Sequence, residues 1–235
     1  MCIPFFRYPT LAAQLPQAAA NFISLGVARN LFNNKGEALH DNRKTMMSYS
    51  SILEFTVPSE TAGITDGQLI RLAQKAHQEM MTAYGARFGP GKERNAPAAM
   101  IAFAPGGSRD IFLGSSIKNA GKKGVLAFYT QDLLVQFLKT FVHTKSGKCG
   151  EFNVLEAFFD LVGNTCQVPA GSRMVAWLKD AVVPPCSVEG KSGCAEFVAS
   201  VGNIRAIEGG QAAELPSTWR ITSYNYRNLA GNAAK

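Results

Sequence analysis

No run of apolar residues in this 235-residue chain approaches the roughly 18 needed to cross a bilayer, so no membrane span is expected. The first residues, MCIPFFRYPTLAAQLP, lack a basic segment followed by an uninterrupted apolar one, and secretion by a standard signal is not expected either. Charged residues are scarce at 17%, against 46% hydrophobic, a balance that excludes a disordered chain and supplies material for a buried core. Internal repeats and low-complexity segments are absent. Cysteine is scarce and unevenly placed: of five, only Cys2 precedes position 149, and the others stand at 149, 166, 186 and 194. An odd number so clustered argues against a disulfide framework and for a metal site in a reducing compartment, hence an intracellular location in cytoplasm or nucleus. Cys2 and Cys166 are read as free thiols.

What the chain does have is a moderate net charge of +7. That favours a polyanionic partner through steering and counterion release, and it equally suits an indifferent basic surface. Residues 11–31 are mildly apolar and broken by Pro16, and the polar run NNKGEALHDNRKT reads as a loop or linker. Residues 51–57 alternate like a strand, and SETAGITDGQ offers turn and cap residues ahead of a helix over 68–84 with Leu69, Leu72, Ala73, Ala76 and Met80 on one face. Strands are expected over 99–104 and 110–117, joined by PGGSR as a hairpin, then a helix over 126–142 carrying Leu133, Leu134, Phe137, Leu138 and Phe141. From Cys149 an amphipathic helix follows, with Val154, Leu155, Phe158, Phe159 and Val162 on its buried side and Gly163-Asn164 as the stop. Residues 173–179 read as a strand, AVVPPC as a turn, and Cys194 opens another amphipathic stretch with Phe197, Val198 and Val201.

The informative constellation is Cys149-Gly150-Glu151 at the start of one helix, then after one strand Pro185-Cys186, then Cys194 at the start of the next helix. Zinc takes thiolate ligands in a tetrahedron, and a catalytic zinc keeps its fourth position open. Two helix N-termini converging on one spot favour thiolates over thiols. Glu151 falls in the first helical turn, on the face shared with Val154, Leu155 and Phe158, where a carboxyl can act as general acid and base.

These residues resemble the zinc deaminases of the cytidine deaminase-like superfamily, whose signature is H-x-E or C-x-E followed by P-C and a further cysteine. SGKCGEFNVLEAFF and the two strands ending in LGSSIK are most similar to the branch in which cysteine replaces histidine, that of YwqJ-type toxin deaminases and fungal relatives. The likeness covers roughly residues 97–208. The usual second motif is P-C-x-x-C, whereas seven residues, SVEGKSG, separate Cys186 from Cys194 here; a Gly-rich loop can fold back to present both sulfurs. The resemblance implies an α/β fold, a three-layer α/β/α sandwich with a mixed five-stranded sheet and both zinc-bearing helices on one face. It implies a catalytic core over 96–235 with an N-terminal extension over 1–95 packed on it. It further implies a zinc ion on Cys149, Cys186 and Cys194, and a water-derived hydroxide that attacks C4 of cytosine or C6 of adenine while Glu151 shuttles protons. The backbone carbonyl of Pro184 or Pro185 would accept from the departing amino group.

The first expectation is hydrolysis of cytosine to uracil in nucleic acid, DNA and its single strands in particular. The alternatives are deamination of a free nucleoside, nucleotide or other small aminated heterocycle, and a non-catalytic, zinc-stabilised binding protein. Ser115, Ser116 and Lys118 end the second strand and could meet a phosphate at the pocket rim, or be ordinary strand-end residues. Asn153 is a candidate contact for substrate sugar. Trp177 could stack on a base but in a central strand reads as core, and Lys122 and Lys123 with Lys118 form a small basic cluster that reads as a solvated loop. His143, six residues before Cys149, does not fit the zinc spacing. It could compete as a ligand, act as the base of a Cys-His pair or line the entrance, and is read as a solvated loop histidine.

Overall fold

A computed structural model of the chain describes residues 24–32, 46–92, 95–120, 125–126, 128–129, 131–140, 143, 145–163, 167–187 and 193–224. Cys2, Cys166, Lys122, Lys123, Phe141, most of the 11–31 stretch and the polar run from 33 to 45 lie outside them.

Eight strands are found among the described residues: β1 (Ala28–Phe32), β2 (Met46–Phe55), β3 (Ala99–Ala104), β4 (Asp110–Ser115), β5 (Ser172–Leu178), β6 (Ala181–Val183), β7 (Ile204–Ile207) and β8 (Ile221–Tyr224). They form one open sheet in the order β1-β2-β4-β3-β5-β6, antiparallel except where β7 joins β5 in parallel. The expected five strands are therefore too few. Two edges are shared end to end: β5 pairs with β7 along Ser172–Val175 and with β6 along 176–178, while β2 pairs with β1 along 46–50 and with β8 along 52–55. The segment before residue 96 supplies β1 and β2 to this same sheet. The AVVPPC segment begins as strand rather than turn, because Lys179 and Asp180 (φ 51° and 61°) make the tight turn and deliver Ala181–Val183 back against β5.

Five helices are described: α1 (Pro58–Ala62), α2 (Asp66–Phe88), α3 (Asp132–Thr140), α4 (Gly150–Val162) and α5 (Cys194–Val201). Thr65 caps α2 with a reciprocal pair, its Oγ1 accepting from Gln68 N at 3.2 Å and its N donating to Gln68 Oε1 at 2.8 Å. All five residues expected on its inner face are buried, and they pack with Met100, Ala102, Ile111, Leu113, Val175 and Trp177 on one side of the sheet. Alternate residues Ile101, Phe103, Phe112, Met174 and Ala176 face the other side, against α3, α4 and α5. The period-2 alternation of β3 to β5 thus separates two cores. Trp177 belongs to the first of them. On α3, Leu134, Phe137 and Leu138 are buried as expected, and Leu133 is exposed.

Asp110 opens β4 directly opposite Glu54 of β2. Burial, then the Glu54 charge, pushes its carboxyl up to about 6, with Arg109 and Ser108 opposing the shift. A carboxyl raised in the folded state holds its proton longer folded than unfolded, so its stability contribution is complete below about pH 4 and is lost as pH rises through about 6. Asp110→Asn should flatten the stability profile across that window, as urea unfolding at successive pH values will read.

Candidate metal centre

Two glycines bring the start of α4 down onto the sheet. A Cβ on Gly150 would lie 2.4 Å from Ile101 Cγ1 and 2.8 Å from the Gly114 carbonyl oxygen, and one on Gly114 would lie 2.9 Å from Val154 Cγ1. Asn153 completes the seat by donating from Nδ2 to the Ser115 carbonyl at 3.1 Å. Cys149, the N-cap, and Glu151, in the first turn, consequently stand at the carboxyl end of β4.

The second arm comes from β6. Beyond Pro184 and Pro185 the chain folds back so that Cys186 O accepts from Ala195 N at 3.2 Å and Cys194 N donates to Cys186 Sγ at 3.3 Å. Gly193 makes this possible, since a Cβ there would fall 1.9 Å from Cys186 O. Glu196 reaches back to Gly193 N at 2.6 Å and accepts from Ser187 Oγ at 3.2 Å, fixing the start of α5. The seven-residue separation is thereby closed at its two ends; residues 188–192 lie outside the described set.

Cys149 Sγ and Cys186 Sγ are 3.8 Å apart. No disulfide forms among the three cysteines. The ligand atoms of Cys149, Cys186, Cys194 and His143 all lie within 4.8 Å of one another, a group that can hold a metal ion. Sulfurs arranged tetrahedrally about 2.3 Å from a zinc would be about 3.8 Å apart, which is the spacing of the Cys149–Cys186 pair. Cys194 is fully buried, while Cys149 and Cys186 are half-buried and form the outward side of the group.

Hydrogen bonding within the group pulls the Cys186 thiol well below its ordinary pKa, the bond from Cys149 contributing most. The same contact with Cys186 pushes Cys149 up, and bonds to Cys149 and Cys186, then burial, push Cys194 up. A divalent ion is what would let all three ionise together. Glu151 is 6% exposed; burial raises its carboxyl pKa, the Cys186 charge raises it further, and hydrogen bonds to its own backbone N–H and to the Cys194 thiol oppose the rise.

No family model, curated protein or solved structure matches the chain. The chemistry of this centre carries the functional argument.

His143 was expected as a solvated loop residue, and the structure corrects this. It is 6% exposed, and its Nε2 lies 3.5 Å from Cys194 Sγ. The loop after it turns back through Ser146 (φ 53°) and Gly147 (φ 74°), with Ser146 N donating to the His143 carbonyl, which cancels the six-residue offset from Cys149. The sequence shows only a turn-rich KSGK beyond His143, and nothing in that pattern says which way the imidazole faces.

The other expected contacts divide. Ser115 is fully buried; its Oγ accepts from Tyr49 N at 2.8 Å and donates to the Ser116 carbonyl at 2.8 Å, so it ties β4 to β2 instead of lining a rim. Ser116 Oγ accepts from Ala98 N and Ala99 N at 2.9 and 3.3 Å, fixing the start of β3. Lys118 is half-buried and its backbone bridges Met47, and Pro185 is half-buried beside Cys186. Asn153 is 2% exposed and committed to the helix seat. No helix of the described residues is long and apolar enough to cross a membrane.

Proposed function

We propose that the protein is a zinc-dependent hydrolytic deaminase of a nucleobase, acting on cytosine in DNA, with Cys149, Cys186 and Cys194 as ligands and Glu151 as the proton carrier. The observation that carries this reading is the Glu151 carboxyl, buried against the thiol group on the first turn of α4. Burying an acid beside sulfur anions is costly, and a purely structural zinc site has no use for it. The reading takes the sheet, with α2 on one face and α3, α4 and α5 on the other, as the three-layer arrangement of the cytidine deaminase-like superfamily.

Zinc held by the three sulfurs supplies Lewis acidity that brings the pKa of water towards neutrality. Glu151 accepts a proton from the attacking water and passes it to the ring nitrogen, then takes the remaining proton of the added hydroxyl and delivers it to the amine, which leaves as ammonia while the carbonyl forms. The products are uracil and ammonia. The net charge of +7 and the resemblance to toxin-type deaminases favour a nucleic-acid substrate over a free nucleoside.

A second reading rests on His143. With its Nε2 at 3.5 Å from Cys194 Sγ, four protein atoms could surround the ion, and a closed site of that kind stabilises a fold without catalysing a reaction.

The test is uracil formation in single- and double-stranded DNA. Uracil from DNA, falling as salt rises, is expected. Product from free cytidine alone, independent of salt, would move the substrate to small molecules, and no deaminated base from DNA, RNA or nucleosides with zinc bound would leave the structural reading standing.

A further inference from the structure

We propose that His143 is a positioning residue and not the fourth metal ligand: its Nε2–H donates to the Cys194 sulfur and leaves the fourth coordination position free. This rests on the reading of the cysteine group as a zinc centre, and it says whether the fourth coordination position of that centre is open.

The deciding contacts are on the far side of the imidazole. Nδ1 accepts two backbone hydrogen bonds, from Lys145 N at 3.1 Å and from Gly147 N at 3.0 Å. A nitrogen that accepts from two N–H groups carries no proton of its own. The single proton of the ring is then on Nε2, the atom facing Cys194 Sγ at 3.5 Å. A protonated Nε2 has no lone pair to give a metal.

Metal-ligating histidines show the opposite arrangement, donating their other ring N–H to a carbonyl or carboxylate. To become a ligand, His143 would have to move its proton to Nδ1. Three hydrogens would then converge there, and both backbone bonds would be lost, that of the buried Gly147 included. Turning the ring is equally obstructed. It packs perpendicular to the Phe152 ring, centroids 5.0 Å apart at 83°, and Phe152 stacks on Phe197 of α5 at 3.9 Å and 9°.

The consequence for the centre is electronic. Three thiolates over-neutralise a divalent ion and weaken its hold on the electrons of water. An N–H donated to one sulfur withdraws charge from that thiolate and restores part of the Lewis acidity. His143 would therefore serve the reaction through Cys194 without touching substrate.

The test uses the full chain loaded with spin-active cadmium and isotope-labelled histidine, with His143→Ala to assign the signals among three histidines. The expected spectrum shows His143 protonated at Nε2 with no scalar coupling to cadmium. His143→Ala should keep one metal per chain and the tetrahedral cobalt spectrum, with affinity down about 10–100-fold, and His143→Gln, which can still donate an N–H, should recover part of that loss. Coupling between cadmium and a His143 nitrogen would overturn the proposal. So would a cobalt spectrum that collapses in the alanine variant while the circular dichroism stays native. Should that variant fail to fold, the coupling measured in the parent chain decides alone. A parent chain that takes up no cadmium overturns this proposal together with the metal centre. Nε2–H without coupling in a chain that deaminates nothing upholds the proposal and refutes the deaminase reading.

Discussion

Glu151→Gln should lower deamination by at least the ~100-fold typical of a missing general acid/base while leaving the metal in place. Glutamine keeps the size of the side chain and can still accept a hydrogen bond, but it cannot take and return a proton. The thiols need not move, because Cys149 is held as the α4 N-cap and Cys186 and Cys194 are held by the fold-back around Gly193. Metal content measured beside activity separates the two roles. A variant with full metal and full activity would remove Glu151 from the mechanism, and one that lost both would make it part of the scaffold.

Metal removal should be the largest perturbation of stability. The three sulfurs come from two separate pieces of chain, the start of α4 and the fold-back from β6 into α5, with His143 hydrogen-bonded to one of them. A ligand bound only by the folded state, present at a thousand times its dissociation constant, stabilises it by about 4 kcal/mol. For a chain of this size, that corresponds to a fall in Tm of about 8–16 °C on chelation. Cys194→Ala should start near the lowered Tm and respond little to chelator, since the ion whose loss is being measured is already gone. Additive losses from the variant and the chelator would mean that the metal binds elsewhere.

The elements around the centre were legible because periodicity and punctuation agreed there. The inner face of α2, the buried side of α4 and the hairpin of β3 and β4 all carry their patterns without interruption. The metal group was legible as three cysteines for the same reason, each lying at a helix start or just past a Pro-Pro pair. The added strands were not. β6 is three residues long and β7 and β8 four each, too short for an alternation to stand out. Ser115 looked like a rim residue because it ends a strand, and only the register of β2 against β4 shows it locked under Tyr49. His143 was misread because linear spacing cannot report a loop that doubles back through two positive-φ residues.

X-ray absorption at the zinc edge of the purified chain tests the central claim most directly. The account predicts one zinc per chain with three sulfurs at about 2.3 Å, one oxygen at about 2.0 Å and no imidazole scattering. A chain without zinc, or zinc with fewer than three sulfurs, would contradict it.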